Sequence, residues 1–271
     1  MRYGLGLMFS TLTASMMLAG QAGATTVIVP NNRATTTSTN NSNSPFGNNS
    51  STGFVLQIDY AAAQLLTVPT GALIDAIGFR LYSNSGTLTQ TLDYPTFNIQ
   101  IGQATSSIAN LSRRFATNEG SDTITARSGA LSIAANTFIG NKRVNPFYMI
   151  NFNTPYAYQG GDLLITIQDT LAANAQSTFV SLDAVTPSAS IGDVGATSYG
   201  AATGTTNFFY APVTELDFVI AAVPEPASWT VLMAGFGLVY GLRRRRVAAS
   251  VSGLPVVASP SGDPRRLKQP G

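Results

Sequence analysis

Phe97-Asn98-Ile99-Gln100-Ile101 alternates apolar and polar side chains without a break. Successive side chains of an extended chain point to opposite faces, so this stretch predicts a strand with one buried and one wet face. The same period of two recurs on both sides. Upstream, Phe54, Leu56, Ile58 and Tyr60 alternate with Val55, Gln57 and Asp59, and Ile77, Phe79 and Leu81 with Gly78 and Arg80. Downstream come Tyr148, Ile150 and Phe152, then Leu163, Ile165 and Ile167, then Val180 and Leu182. Leu216, Phe218 and Ile220 close the series against Glu215 and Asp217.

The breaks between these runs are turn-forming clusters: Pro69-Thr70-Gly71, Ser83-Asn84-Ser85-Gly86, Gly160-Gly161-Asp162 and Pro187-Ser188. No segment sustains a period of 3.6, and Ala61–Leu66 and Leu111–Thr117 have room for one or two helical turns. The expectation is an all-β fold, an antiparallel β-sandwich of jelly-roll type. A signal helix should flank it on the N-terminal side and a transmembrane helix on the C-terminal side.

Composition narrows the chemistry. The chain has no cysteine and no histidine. Disulfides, thiolate metal sites, imidazole ligation and Ser-His-Asp or Cys-His catalysis are all excluded. The formal charge is +2, yet between Thr25 and Val223 seven basic residues face eleven acidic ones, a net of −4. The basic excess lies in Arg243–Arg246 and in Arg265, Arg266 and Lys268. A nucleic-acid partner would need positive charge on the folded body, so none is expected.

Both ends read as processing segments. Arg2 precedes an apolar stretch from Leu5 through Leu18, and Ala22-Gly23-Ala24 is an A-x-A cleavage signature. This predicts a signal peptide cut by signal peptidase after Ala24, leaving Thr25 first. A permanent N-terminal anchor fits less well, because the apolar stretch is short for a span and Gly20 and Gly23 interrupt it. At the other end, Pro224-Glu225-Pro226 and Trp229 precede an apolar segment that ends in Arg243-Arg244-Arg245-Arg246. Ala227–Leu242 would make about 24 Å of helix, short of the ~30 Å hydrocarbon core. Trp229 suits the outer interface and the arginines the inner one, which places the body outside the membrane.

These four features in this order resemble the PEP-CTERM sorting signal, in the subtype with a Trp three residues after the second Pro. The resemblance implies recognition by an exosortase, a membrane-embedded enzyme that cuts near the motif. It also implies passage through the inner membrane and delivery to the cell envelope, the exterior or the exopolysaccharide. The alternative is an ordinary tail anchor that happens to contain Pro-Glu-Pro. Signals of this kind end soon after the arginines, whereas here a Ser-, Pro- and Gly-rich stretch, Val247–Gly271, follows and reads as a disordered tail.

The stretch from Gly53 to Thr170 is similar to a recurrent passenger domain of such proteins. The similarity rests on Ile77-Gly78-Phe79-Arg80, on Leu111-Ser112 with Phe115-Ala116-Thr117-Asn118, and on Thr154-Pro155-Tyr156-Ala157-Tyr158 leading into Gly161-Asp162-Leu163-Leu164-Ile165. It implies a secreted β-sandwich and no particular activity. Thr35–Thr52, rich in Thr, Ser and Asn, reads either as a flexible N-terminal arm or as long loops bracketing one docked aromatic, Phe46. The expected organisation is thus a signal peptide (1–24), a polar arm (25–52), the sandwich (53–223), the sorting signal (224–246) and a tail (247–271).

Within the body, Asn118, Glu119 and Asp122 offer oxygen ligands to a structural Ca²⁺. Tyr156 and Tyr158 share one side of an extended chain, where they would either stack on sugar rings or cover the sandwich edge. Glu119, Glu215 and nine Asp supply the body's carboxylates, and no pair declares itself as a glycosidase couple. The leading functional expectation is a non-enzymatic surface or matrix protein. A carbohydrate-binding sandwich is the alternative, and an envelope polysaccharide hydrolase the third reading.

Overall fold

The strands that alternation predicts all form, and their pairing is antiparallel throughout the ladders. The computed structural model describes residues 24–47, 52–170, 180–206 and 210–220. In chain order the elements begin with β1 (Ala24–Val29), β2 (Asn40–Ser42), β3 (Phe54–Tyr60), β4 (Leu73–Arg80), β5 (Leu92–Tyr94) and β6 (Phe97–Gln103). A single α-helical turn, α1 (Phe115–Asn118), precedes β7 (Ile124–Arg127), β8 (Leu131–Ile133), β9 (Phe147–Ala157) and β10 (Leu163–Asp169). The series ends with β11 (Leu182–Val185), β12 (Ile191–Ala196), β13 (Thr205–Thr206), β14 (Ala211–Pro212) and β15 (Thr214–Val219).

Two sheets carry most of these strands, in the orders β1-β15-β4-β9 and β13-β12-β3-β10-β6-β7. The chain crosses between them repeatedly: β1 in the first, β3 in the second, β4 back in the first, β6 and β7 in the second, then β9, β10 and β15. That is the strand order of a jelly roll, with β12 and β13 added at one edge of the second sheet. Smaller sheets, β14-β11-β2 and β5-β8, complete the described part of the domain.

One continuous core lies between the two large sheets. Phe97, Ile99 and Ile101 of β6 and Leu216 and Phe218 of β15 are buried in it, while Asn98, Gln100, Glu215 and Asp217 remain partly exposed. The buried hydroxyl of Thr214, which opens β15, donates to the hydroxyl of Tyr60, which ends β3, at 3.0 Å and ties the two sheets together.

Residues 25–47 of the expected arm (25–52) are part of this domain and do not run ahead of it. β1 pairs with β15 along its whole length, and β2 pairs with β11. Phe46 is completely buried, stacked on Phe97 at 5.7 Å and meeting Phe79 edge-on at 5.3 Å. A strand pairing and one aromatic anchor outweigh the low apolar content of the segment, since burying a Phe contributes roughly 1.5–3 kcal/mol. Of the two readings of this segment, loops around a docked Phe is the one that the described residues show.

Alternation misjudged the polar face of β3 and the end of β4, where Gly78 and Arg80 are buried. Every residue of β3 is buried, including Val55, Gln57 and Asp59, which were expected to be wet. The outer face of the second sheet is covered by the segment that carries α1. Phe115 packs there with Val55 and Val194. Gly192 makes the close approach possible, because a Cβ at that position would lie 2.8 Å from an Ile108 methyl and 2.9 Å from one of Leu111.

Candidate functional site

Beyond β4 the chain turns away from the sheet and is laced to a second loop. The Leu88 N–H donates to the Phe138 carbonyl at 3.0 Å, the Asn136 N–H to the Leu88 carbonyl and the Asn141 N–H to the Ser85 carbonyl at 2.9 Å. The Tyr82 N–H donates to the Ser181 carbonyl at 2.8 Å. Together with Asn41 of β2, residues 81–82, 84–90 and 180–181 line an open cleft of about 560 Å³. Leu81, Leu88 and Val180 are its buried apolar part, and Asn41, Asn84 and Thr89 are exposed at its edge. Among the described residues no charged side chain lines it.

The residues singled out from sequence lie elsewhere. Ala22 and the sorting motif, Pro224, Glu225, Pro226, Trp229 and Arg243–Arg246, lie outside the described residues, as does the expected span. Among the described residues no helix is long and apolar enough to cross a membrane. Ala24 and Thr25, flanking the expected cleavage point, open β1 and pair with Val219 and Phe218.

Tyr156 and Tyr158 are each only 3% exposed, which corrects the sugar-stacking reading. Both belong to the core cluster, and their hydroxyls are turned to protein acceptors. Tyr156 donates to the Asp122 carboxylate at 2.5 Å and Tyr158 to the Gly161 carbonyl at 2.5 Å. Burial, and next the hydrogen bond to Asp122, raise the Tyr156 pKa above the ordinary tyrosine range.

Asn118 and Glu119 share Gln57 as a partner, while Asp122 bonds Gln103 and Tyr156. Asn118 is fully buried, donates to the Gln57 side-chain oxygen at 2.9 Å and accepts from the Ser112 N–H at 2.8 Å. Glu119 accepts from Gln57 at 3.2 Å. Asp122 accepts from the Gln103 N–H at 3.0 Å as well as from Tyr156. Among the described residues no group of three or more carboxylates gathers as a cation site would need.

Sequence reasoning missed two buried polar centres. Arg80, expected on a wet face, pairs with Asp183 in the interior. Asp59 is fully buried, and neither of its oxygens has a hydrogen-bond partner among the described residues. Its cross-strand neighbours are Leu164 and Gly192. Burial, and next the nearby Asp162 carboxylate, push its pKa from 3.8 up to about 7. Polar residues at alternating positions carry no sign that a distant loop will cover them, so neither centre had a local signal.

Residues of the motifs behind the passenger resemblance make internal contacts in this chain: Arg80 an ion pair, Asn118 a buried amide network, Tyr156 a bond to Asp122, and Tyr158 a bond to Gly161 just ahead of β10. Comparison with protein-family models, with curated proteins and with solved structures returns no match. Fold and cleft together define an all-β, jelly-roll-type domain with an uncharged polar depression on one side.

Proposed function

We propose that this chain is an exported, non-enzymatic cell-surface or extracellular-matrix protein, sorted through its C-terminal segment. Signal peptidase removes residues 1–24. Residues 224–246 hold the protein in the inner membrane until an exosortase acts, and the body then resides in the envelope, the exterior or the exopolysaccharide.

The observation that carries this reading is the ordered coincidence of Pro224-Glu225-Pro226, Trp229, a marginal apolar span and Arg243–Arg246. The domain's own geometry is compatible with cutting at both ends. Ala24, the last residue of the expected signal peptide, faces Val219, five residues ahead of Pro224, across the β1–β15 ladder. Removal of everything before Thr25 and after Val223 leaves five of the six β1 pairs intact, Thr25–Val29 against Thr214–Phe218.

Replacing Pro224, Glu225 and Pro226 with alanine tests the proposal, because hydrophobicity and the arginines are retained and plain anchoring should survive. In a host with an exosortase, the variant should accumulate as a full-length membrane form while the parent is released or attached to the envelope. Identical processing and location of variant and parent would reduce the segment to a tail anchor. Mass spectrometry of the exported parent should find Thr25 at its N-terminus.

A further inference from the structure

We propose that the cleft between residues 81–90, Asn41 and Val180-Ser181 binds a neutral polysaccharide chain. Three properties of the cleft point to that ligand. Among the described residues its lining holds no ionisable group except the Tyr82 phenol, so a phosphate, a carboxylate or an amine finds no counter-charge among them. Its walls are amides and hydroxyls, from Asn41, Asn84, Thr87, Thr89 and Gln90 among others. Such groups both donate and accept hydrogen bonds, as sugar hydroxyls do. The half-buried Tyr82 ring supplies an apolar surface beside those groups, with Leu81, Leu88 and Val180 packed beneath the lining. A pyranose has the same two characters, C–H faces and hydroxyl edges.

The cleft is also prepared for binding. Its volume of about 560 Å³ falls within the range of about 300–1,000 Å³ usual for ligand sites. The loop that forms it is fixed by the backbone bonds from Asn136 to Leu88, Leu88 to Phe138 and Asn141 to Ser85. Gly140 packs so closely that a Cβ there would lie 2.2 Å from the Ser85 carbonyl oxygen. A loop held this way loses little freedom when a ligand arrives, which lowers the entropic cost of association.

Retention of the full-length protein on gel-entrapped polysaccharides tests the site, with a neutral β-glucan and a neutral galactomannan set against alginate, a polyuronate. The parent should be held by at least one neutral polymer, equally at low and high salt, and should pass alginate freely. Asn84 is exposed, so Asn84→Trp fills the cleft without entering the core and should abolish retention. Asn84→Ala combined with Thr89→Ala, the milder pair, should weaken retention about ten-fold at an unchanged melting temperature. Retention of either folded variant equal to the parent's would overturn the assignment. So would passage through both neutral gels, or salt-sensitive retention on alginate alone. None of the cleft residues belongs to the terminal segments, so failure here leaves the sorting proposal standing, and the reverse also holds.

Discussion

The guanidinium of Arg80 lies 2.7 Å from the carboxylate of Asp183, and neither side chain is exposed to solvent. The pair is the junction of three parts of the chain. Arg80 ends β4 and also donates to the carbonyls of Arg33 and Thr36, at 2.9 and 2.7 Å. Asp183, on β11, accepts from the Ser38 N–H at 2.8 Å. The Phe147 ring of β9 lies 5.0 Å from the guanidinium carbon. The loop between β1 and β2 is thus tied to the sandwich by two opposite charges removed from water.

Arg80→Met should destabilise the domain by about 3–5 kcal/mol, since it leaves Asp183 buried without its counter-charge. The double variant Arg80→Met with Asp183→Leu should lose clearly less than the sum of the two single changes. Urea denaturation of all four proteins closes the cycle, and additive losses would show that the two residues act independently.

Asp59 should make stability fall as pH rises. Its folded-state pKa stands near 7 against 3.8 when free, because burial and Asp162 disfavour the charge. Its contribution is fully present below the unfolded value and is lost as pH rises through the folded one, by up to roughly 4 kcal/mol. Asp59→Asn should therefore gain on the parent between about pH 4 and about pH 8. A constant difference across that window would mean that Asp59 does not hold a proton in the fold.

Tyr156→Phe should cost about 1–2 kcal/mol, by removing a hydrogen bond to a carboxylate. Difference titration of variant and parent should show that Tyr156 keeps its proton to higher pH than free tyrosine, as burial and Asp122 dictate. Polysaccharide retention should not change. A loss of retention without a loss of stability would return this tyrosine to the surface role that its 3% exposure argues against.

Phe46→Ala should destabilise by about 3–5 kcal/mol, as expected for a truncated buried aromatic. A chain begun at Gly53 should fail to fold, because it lacks β1, β2 and this ring. Circular dichroism and thermal melting check both. A cooperative melt of the shortened chain at the parent's temperature would restore residues 25–52 to the status of an arm.

The strands were largely legible, the candidate site hardly at all. Phe97–Ile101 and Leu216–Phe218 alternate because each strand has one face toward the common core. Ile191–Ala196 gave no such signal, since Gly192, Asp193 and Gly195 break the apolar pattern. It becomes β12 by pairing with β3, a partner more than a hundred residues away. The cleft was invisible for a similar reason. Ser83-Asn84-Ser85-Gly86 reads as a turn, and nothing local says that Asn41 and Ser181 will stand opposite it.

The amino-acid sequence by itself determined the all-β character, the strands of clear period two, and the absence of thiol and imidazole chemistry. These follow from residue type and from spacing along one strand, both local properties. Tertiary structure alone decided that Gln57 and Asp59 lie beneath Phe115 and its neighbours, that Phe46 reaches the core, and that Tyr156 and Tyr158 turn inward. It also brought Arg80 to Asp183, 103 positions further along the chain. Alternation tells which residues share a face, but only the packing of distant segments decides whether that face meets water.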